Sequence, residues 1–110
     1  MSFIDTNIVR QFSAQKMHKS NLFETPDMFC DVYCLEPGQS QKLHSHADAT
    51  KFYYVMEGSG MFQIGDRRET LGPGGLAFSR PGEIHGVENT AENRMVLLVA
   101  MAPNPNVGCA

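Results

Sequence analysis

The chain predicts an all-β fold, a sandwich or small barrel of short antiparallel strands, and three observations carry that expectation. Glycine and proline recur at short intervals from residue 36 onward, in Glu36-Pro37-Gly38, Gly58-Ser59-Gly60, Gly72-Pro73-Gly74-Gly75 and Pro81-Gly82. The stretches between them are short and rich in aromatic and aliphatic residues, the pattern of strands separated by turns. Gly65-Asp66 sits between Met61-Phe62-Gln63-Ile64 and Arg67, and glycine first in a two-residue loop supplies the positive φ of a type II′ hairpin turn.

The elements follow in order from this punctuation. A strand over Met28 to Leu35 ends at Glu36-Pro37-Gly38, and Gln41 to His46 resumes after it. Lys51 to Glu57 stops at Gly58-Ser59-Gly60. Met61 to Ile64 and Arg67 to Leu71 are the two arms of the Gly65-Asp66 hairpin. Leu76 to Ser79 follows the glycine cluster, His85 to Glu88 follows Pro81-Gly82, and Arg94 to Met101 closes the series. Residues 1–27 read as an N-terminal arm, because Ile4, Ile8 and Phe12 have helical spacing but weak helical propensity around them. Residues 103–110 read as a tail, since Pro103 and Pro105 remove backbone donors and block a ladder.

Two runs are apolar on both faces, Phe52-Tyr53-Tyr54-Val55-Met56 and Met95-Val96-Leu97-Leu98-Val99-Ala100-Met101. A small barrel solvated on its outside shows alternation instead. One face therefore fills the barrel and the other covers a second sheet or a partner subunit, which makes a homodimer the economical expectation.

Length and charge exclude several classes. A chain of 110 residues is one domain that can bury a core without disulfides. Its formal charge of −3, from nine scattered basic and twelve acidic residues, argues against nucleic acid as a partner. No apolar run approaches the roughly 20 residues of a membrane span, and the polar start Ser2-Phe3-Ile4-Asp5-Thr6-Asn7 is unlike a signal peptide. A cytoplasmic location is expected, and the three cysteines agree. Cys30 and Cys34, four apart on one strand, are separated by roughly 13 Å, too far for a disulfide.

The chemistry concentrates in three histidines. His44 and His46 flank one residue, so on a strand they share a face, and a distant strand can bring His85 opposite them. Three imidazoles meeting at one point form a metal site. His18, alone in the polar arm, reads as a surface residue.

Two stretches then resemble the motifs of the cupins, small double-stranded β-helix (jelly-roll) barrels. Gly38, five residues, His44-x-His46 and Gly58 match the first motif, and Gly74, Gly82, His85 and Asn89 match the second. The resemblance covers the barrel at residues 28–102. It implies His44, His46 and His85 as ligands of one divalent metal. Arg80 replaces a turn proline, a minor change, whereas Lys51 stands where the family has a metal-binding glutamate.

That replacement reaches the chemistry. Three neutral imidazoles suit Fe, Zn, Cu or Ni and suit Mn less well. An ammonium about 6 Å from a dication is repelled by on the order of 5 kcal/mol at an effective dielectric near 20. Lys51 is therefore expected to turn toward a carboxylate or the barrel mouth; the alternatives are that it is neutral or occupies the metal position itself. Glu83 and Asp48 lie near the ligands but off their face, and turn-capping is the expected job of both. Tyr53 shares the parity of Lys51 and is a candidate beside it in the pocket, with Phe62, Met95 and Leu97 as core or pocket wall.

Three functions stay open at this point. The first is a metal-dependent, dioxygenase-like enzyme acting on a small anionic molecule, with Lys51 and Tyr53 as catalytic candidates. The second is a non-catalytic module that binds or senses a metal or small ligand. The third is a metal-free, epimerase-like acid/base enzyme using histidine and Lys51.

Overall fold

The computed structural model describes residues 2–105; the end of the expected tail, with Cys109, lies outside the described residues. Among the described residues there are nine strands and no helix: β1 (His18–Thr25), β2 (Met28–Leu35), β3 (Ser40–His44), β4 (Thr50–Glu57), β5 (Gly60–Ile64), β6 (Arg67–Leu71), β7 (Leu76–Ser79), β8 (His85–Glu88) and β9 (Met95–Ala102). They form two antiparallel sheets, β1-β2-β9-β4-β7 and β3-β8-β5-β6. The fold is all-β, as the punctuation predicts. No helix among the described residues is long and apolar enough to cross a membrane.

The core lies between the sheets. Tyr33, Leu35, Tyr53, Val55, Phe62, Val87, Met95, Leu97 and Val99 form one buried cluster, fed by the odd-numbered positions of β2, β4 and β9. Alternation along a strand sends the even positions to the opposite face. There Val32, Cys34 and Val96 are also fully buried, covered by Val9 and Phe12 of the arm. The doubly apolar runs thus have a physical reason within one chain: the arm folds back over part of the outer face. Tyr54, Leu76 and Phe78, farther along that face, remain exposed.

Two features depart from the sequence expectation. His18–Thr25, assigned to the arm, is an edge strand paired antiparallel with β2. The turn that makes this possible is closed by Thr25 Oγ1, which accepts from the amides of Asp27 at 3.1 Å and Met28 at 3.3 Å. In addition β3 ends at His44, so His46 lies just past the strand. Gly65 has φ +61° and Asp66 has a negative φ, which fits the type II′ turn and excludes type I′.

Structural pins account for two remaining sequence signals. Asn89, fully buried, donates from Nδ2 to the carbonyls of Leu35 at 3.0 Å and Asn93 at 2.9 Å, and its Oδ1 accepts from Ala91 N at 3.1 Å. Cys30 and Cys34 are free, buried thiols on the outer face of β2.

Candidate metal centre

The histidines come together as the spacing argument requires. Their ligand-capable nitrogens all lie within 4.8 Å of one another. His85 opens β8 and is directly opposite His44 at the end of β3. His46 is held to the same corner because its carbonyl accepts from Gly82 N at 2.8 Å, tying the first motif to the turn of the second.

Hydrogen bonds decide which ring nitrogens face the centre. His44 Nδ1 is 2.7 Å from the Lys42 carbonyl and His85 Nδ1 is 3.0 Å from the Glu83 carbonyl. A carbonyl can only accept, so both Nδ1 atoms carry the proton and both Nε2 atoms present a lone pair. His85 is 1% exposed, and its Nε2 is buried without a partner among the described residues. Leaving a buried acceptor unsatisfied costs about 1–3 kcal/mol, which a ligand on that nitrogen removes. Burial pushes all three imidazoles below their ordinary pKa, His85 to about 4, so they are neutral and ready to donate lone pairs at neutral pH. The donor set fits a borderline divalent ion such as zinc or iron.

Lys51 does not turn toward a carboxylate. It is 2% exposed, and its Nζ lies 2.9 Å from Gln41 Oε1 and 3.3 Å from His44 Nε2. The rings of Tyr53 and Tyr33 stand 4.9 and 5.6 Å from the same nitrogen. An amide oxygen and two π faces within reach offer the ammonium a local home at the histidine cluster itself. Burial first and Lys19 second push the Lys51 pKa down to about 7, against the pull of Asp31.

Gln41 is the residue that sequence reasoning missed. Its Oε1 accepts from Tyr53 OH at 2.6 Å as well as from Lys51, while its Nε2 donates to Tyr33 OH at 3.2 Å. Gln41 and His44 are three apart, so a regular strand would point them to opposite faces. A bulge intervenes: Gln41 pairs with Val87 and His44 with His85, one residue more on β3 than on β8. Both side chains therefore face inward. Tyr53 is 1% exposed, and burial raises its pKa, so its hydroxyl keeps the proton it gives to Gln41.

The other candidates have plain structural places. Glu83 Oε1 accepts from Arg80 N at 3.1 Å and closes the turn before His85. Among the described residues the metal-capable group holds His44, His46 and His85, without Glu83 or Asp48. Phe62, Met95 and Leu97 belong to the core cluster. His18 is half-buried, with Nδ1 3.3 Å from Ser20 Oγ.

A cavity of about 540 Å³ opens beside the cluster, lined by His44, His46, Lys51, Lys19, Lys42 and Asp31 over the faces of Tyr33 and Phe29. Three lysines against one carboxylate make this mouth cationic on a chain whose formal charge is −3. Small anions are drawn to such a mouth.

Two facing antiparallel sheets with imidazoles from both motifs meeting at one end define a double-stranded β-helix barrel with a candidate metal site. The chain belongs to the cupin family, whose domain model matches residues 31–101. It is similar to the crystal structure of TT1209 from Thermus thermophilus, with 37% identity and a TM-score of 0.92 over 96% of this chain and 100% of that one. A Klebsiella pneumoniae protein with a double-stranded β-helix domain shares the fold at 23% identity, with a TM-score of 0.87 over 94% of this chain and 90% of that one. The curated oxalate-binding protein of Thermotoga maritima is 31% identical over 67 residues, which are 61% of this chain and 55% of that protein. The chain thus matches about half the length of that relative.

Proposed function

We propose that this cupin binds one divalent transition metal, Fe, Zn, Ni or Cu in preference to Mn, through His44, His46 and His85. In this reading it acts on a small carboxylate anion lodged in the adjoining cavity, in a dioxygenase-like reaction. The observation that carries the proposal is the buried, unpartnered Nε2 of His85 facing two further imidazoles beside a cationic cavity. The name of the Thermotoga relative supports an anionic ligand of the carboxylate class.

When bound, the ion supplies Lewis-acid or redox chemistry. The chain's own residues do the rest. Lys51 offers the anion a buried cation and, with its lowered pKa, a proton that can be given or taken near neutrality. Gln41, braced by Tyr33 and Tyr53, fixes where that ammonium stands. The non-catalytic reading is the second, favoured by the relative's description as a binding protein. The exposed Tyr54, Leu76 and Phe78 support pairing of two copies through the outer face, and the free thiols of Cys30 and Cys34 fit a reducing cytoplasm.

Elemental analysis of protein purified without chelators is expected to give close to one transition metal per chain, lost in His46→Ala. Oxygen uptake with carboxylate substrates separates the enzyme from the binding module. A wild-type protein that neither carries nor takes up metal overturns the proposal and leaves the Lys51–His44 pair as acid/base machinery.

A further inference from the structure

Lys19 lies on the strand that the sequence pattern does not announce, and its position there bears on the substrate. It is paired directly opposite Tyr33, so the two side chains stand on the same sheet face. Lys19 Nζ is 5.4 Å from the Tyr33 ring centroid and Lys51 Nζ is 5.6 Å from the same centroid. Two ammonium groups that share one ring are separated by no more than about twice either distance.

Both line the same cavity, and Lys51 Nζ also lies 3.3 Å from His44 Nε2. The carboxylate among the described lining residues, Asp31, accepts a 2.9 Å hydrogen bond from Asn21 Nδ2 and makes no ion pair with either lysine. The pair of ammoniums therefore has one partly engaged counter-charge between them. The cavity's volume, about 540 Å³, falls in the range of sites that enclose ligands much larger than a two-carbon diacid, which would leave most of it to water.

From this geometry we infer that the cavity takes an acid with anionic groups at both ends, one beside His44, His46 and Lys51 and the other on Lys19, so that Lys19 selects the length of the acid. This inference rests on the reading that the cavity holds a carboxylate anion. Lys19 is a specificity residue of the site. It is exposed on an edge strand, so its replacement leaves the core untouched.

Calorimetric titration of the full chain with oxalate, succinate, glutarate and adipate, and with monocarboxylates of equal length, tests it; metal content is measured before and after each titration. A four- to six-carbon diacid is expected to bind more tightly than oxalate and than its matching monoacid. Lys19→Met is expected to weaken the diacid by about fivefold more than the monoacid, and Lys19→Arg to retain the preference. Equal weakening of mono- and diacids by Lys19→Met, or a wild-type preference for oxalate, overturns this inference and leaves the carboxylate reading standing. No binding of any acid overturns both.

Discussion

Replacing Lys51 with Met isolates the energetics of the buried ammonium. The side chain is 2% exposed, and its pKa is pushed down from 10.5 to about 7, by burial first and by Lys19 second. Between those two values the unfolded chain holds a proton that the folded chain has released. Stability of the metal-free protein therefore rises with pH across that window, and the ammonium's penalty is present in full below about pH 7. At about 1.4 kcal/mol per pKa unit, the gain from Lys51 alone across the whole window is on the order of 5 kcal/mol. Burial also raises the pKa values of Cys30, Cys34 and Tyr33, which removes stability at the alkaline end, but these groups are present in both proteins and cancel in the difference. The assay is urea denaturation in the presence of a chelator, followed by circular dichroism in steps from about pH 6 to about pH 10. Lys51→Met, which keeps the length and removes the charge, is expected to be the more stable protein at the acid end, with the gap closing as pH rises. Parallel profiles for the two proteins would refute the claim that Lys51 is held as a desolvated cation.

Three further outcomes follow from particular contacts. Lys51→Glu, which puts a carboxylate where an ammonium now faces His44, is expected to tighten zinc binding by at least about tenfold in competition with a chromophoric chelator; weaker binding contradicts the electrostatic reading. Gly58→Ala is expected to lower stability by about 2–4 kcal/mol in thermal melts, because φ is +79° there and a Cβ would run into the Arg94 carbonyl and come within 2.9 Å of Met95 Cα; an unchanged melting temperature removes that constraint. Deleting residues 2–13 is expected to expose Cys34 to a thiol reagent and to cost about 2–4 kcal/mol, since Val9 and Phe12 cover it and Ser20 Oγ donates to the Val9 carbonyl at 2.9 Å. A thiol that stays protected shows that something else shields this face.

The strands from Met28 onward were legible because glycine and proline mark their ends and the runs between are apolar. β1 was not, since His18-Lys19-Ser20-Asn21 is polar and its pairing is given by β2 and the Thr25 turn. The three histidines were legible as a candidate metal group from their spacing taken together with the cupin motifs. Gln41 was hidden by a bulge that reverses its parity, which no strand-period argument registers. Tyr54 and Val96 look alike in a hydrophobic pattern, yet the arm leaves one exposed and the other buried.

By itself the sequence determined the all-β class, the turn positions and three imidazoles as candidate donors, because those are local properties of turn chemistry and side-chain type. Where the Lys51 ammonium rests and that Lys19 shares a ring with Lys51 were decided by tertiary structure. Both depend on atoms brought from β1, β2, β3 and β4 to one barrel mouth, and the distances between strands are set by pairing register rather than by order along the chain.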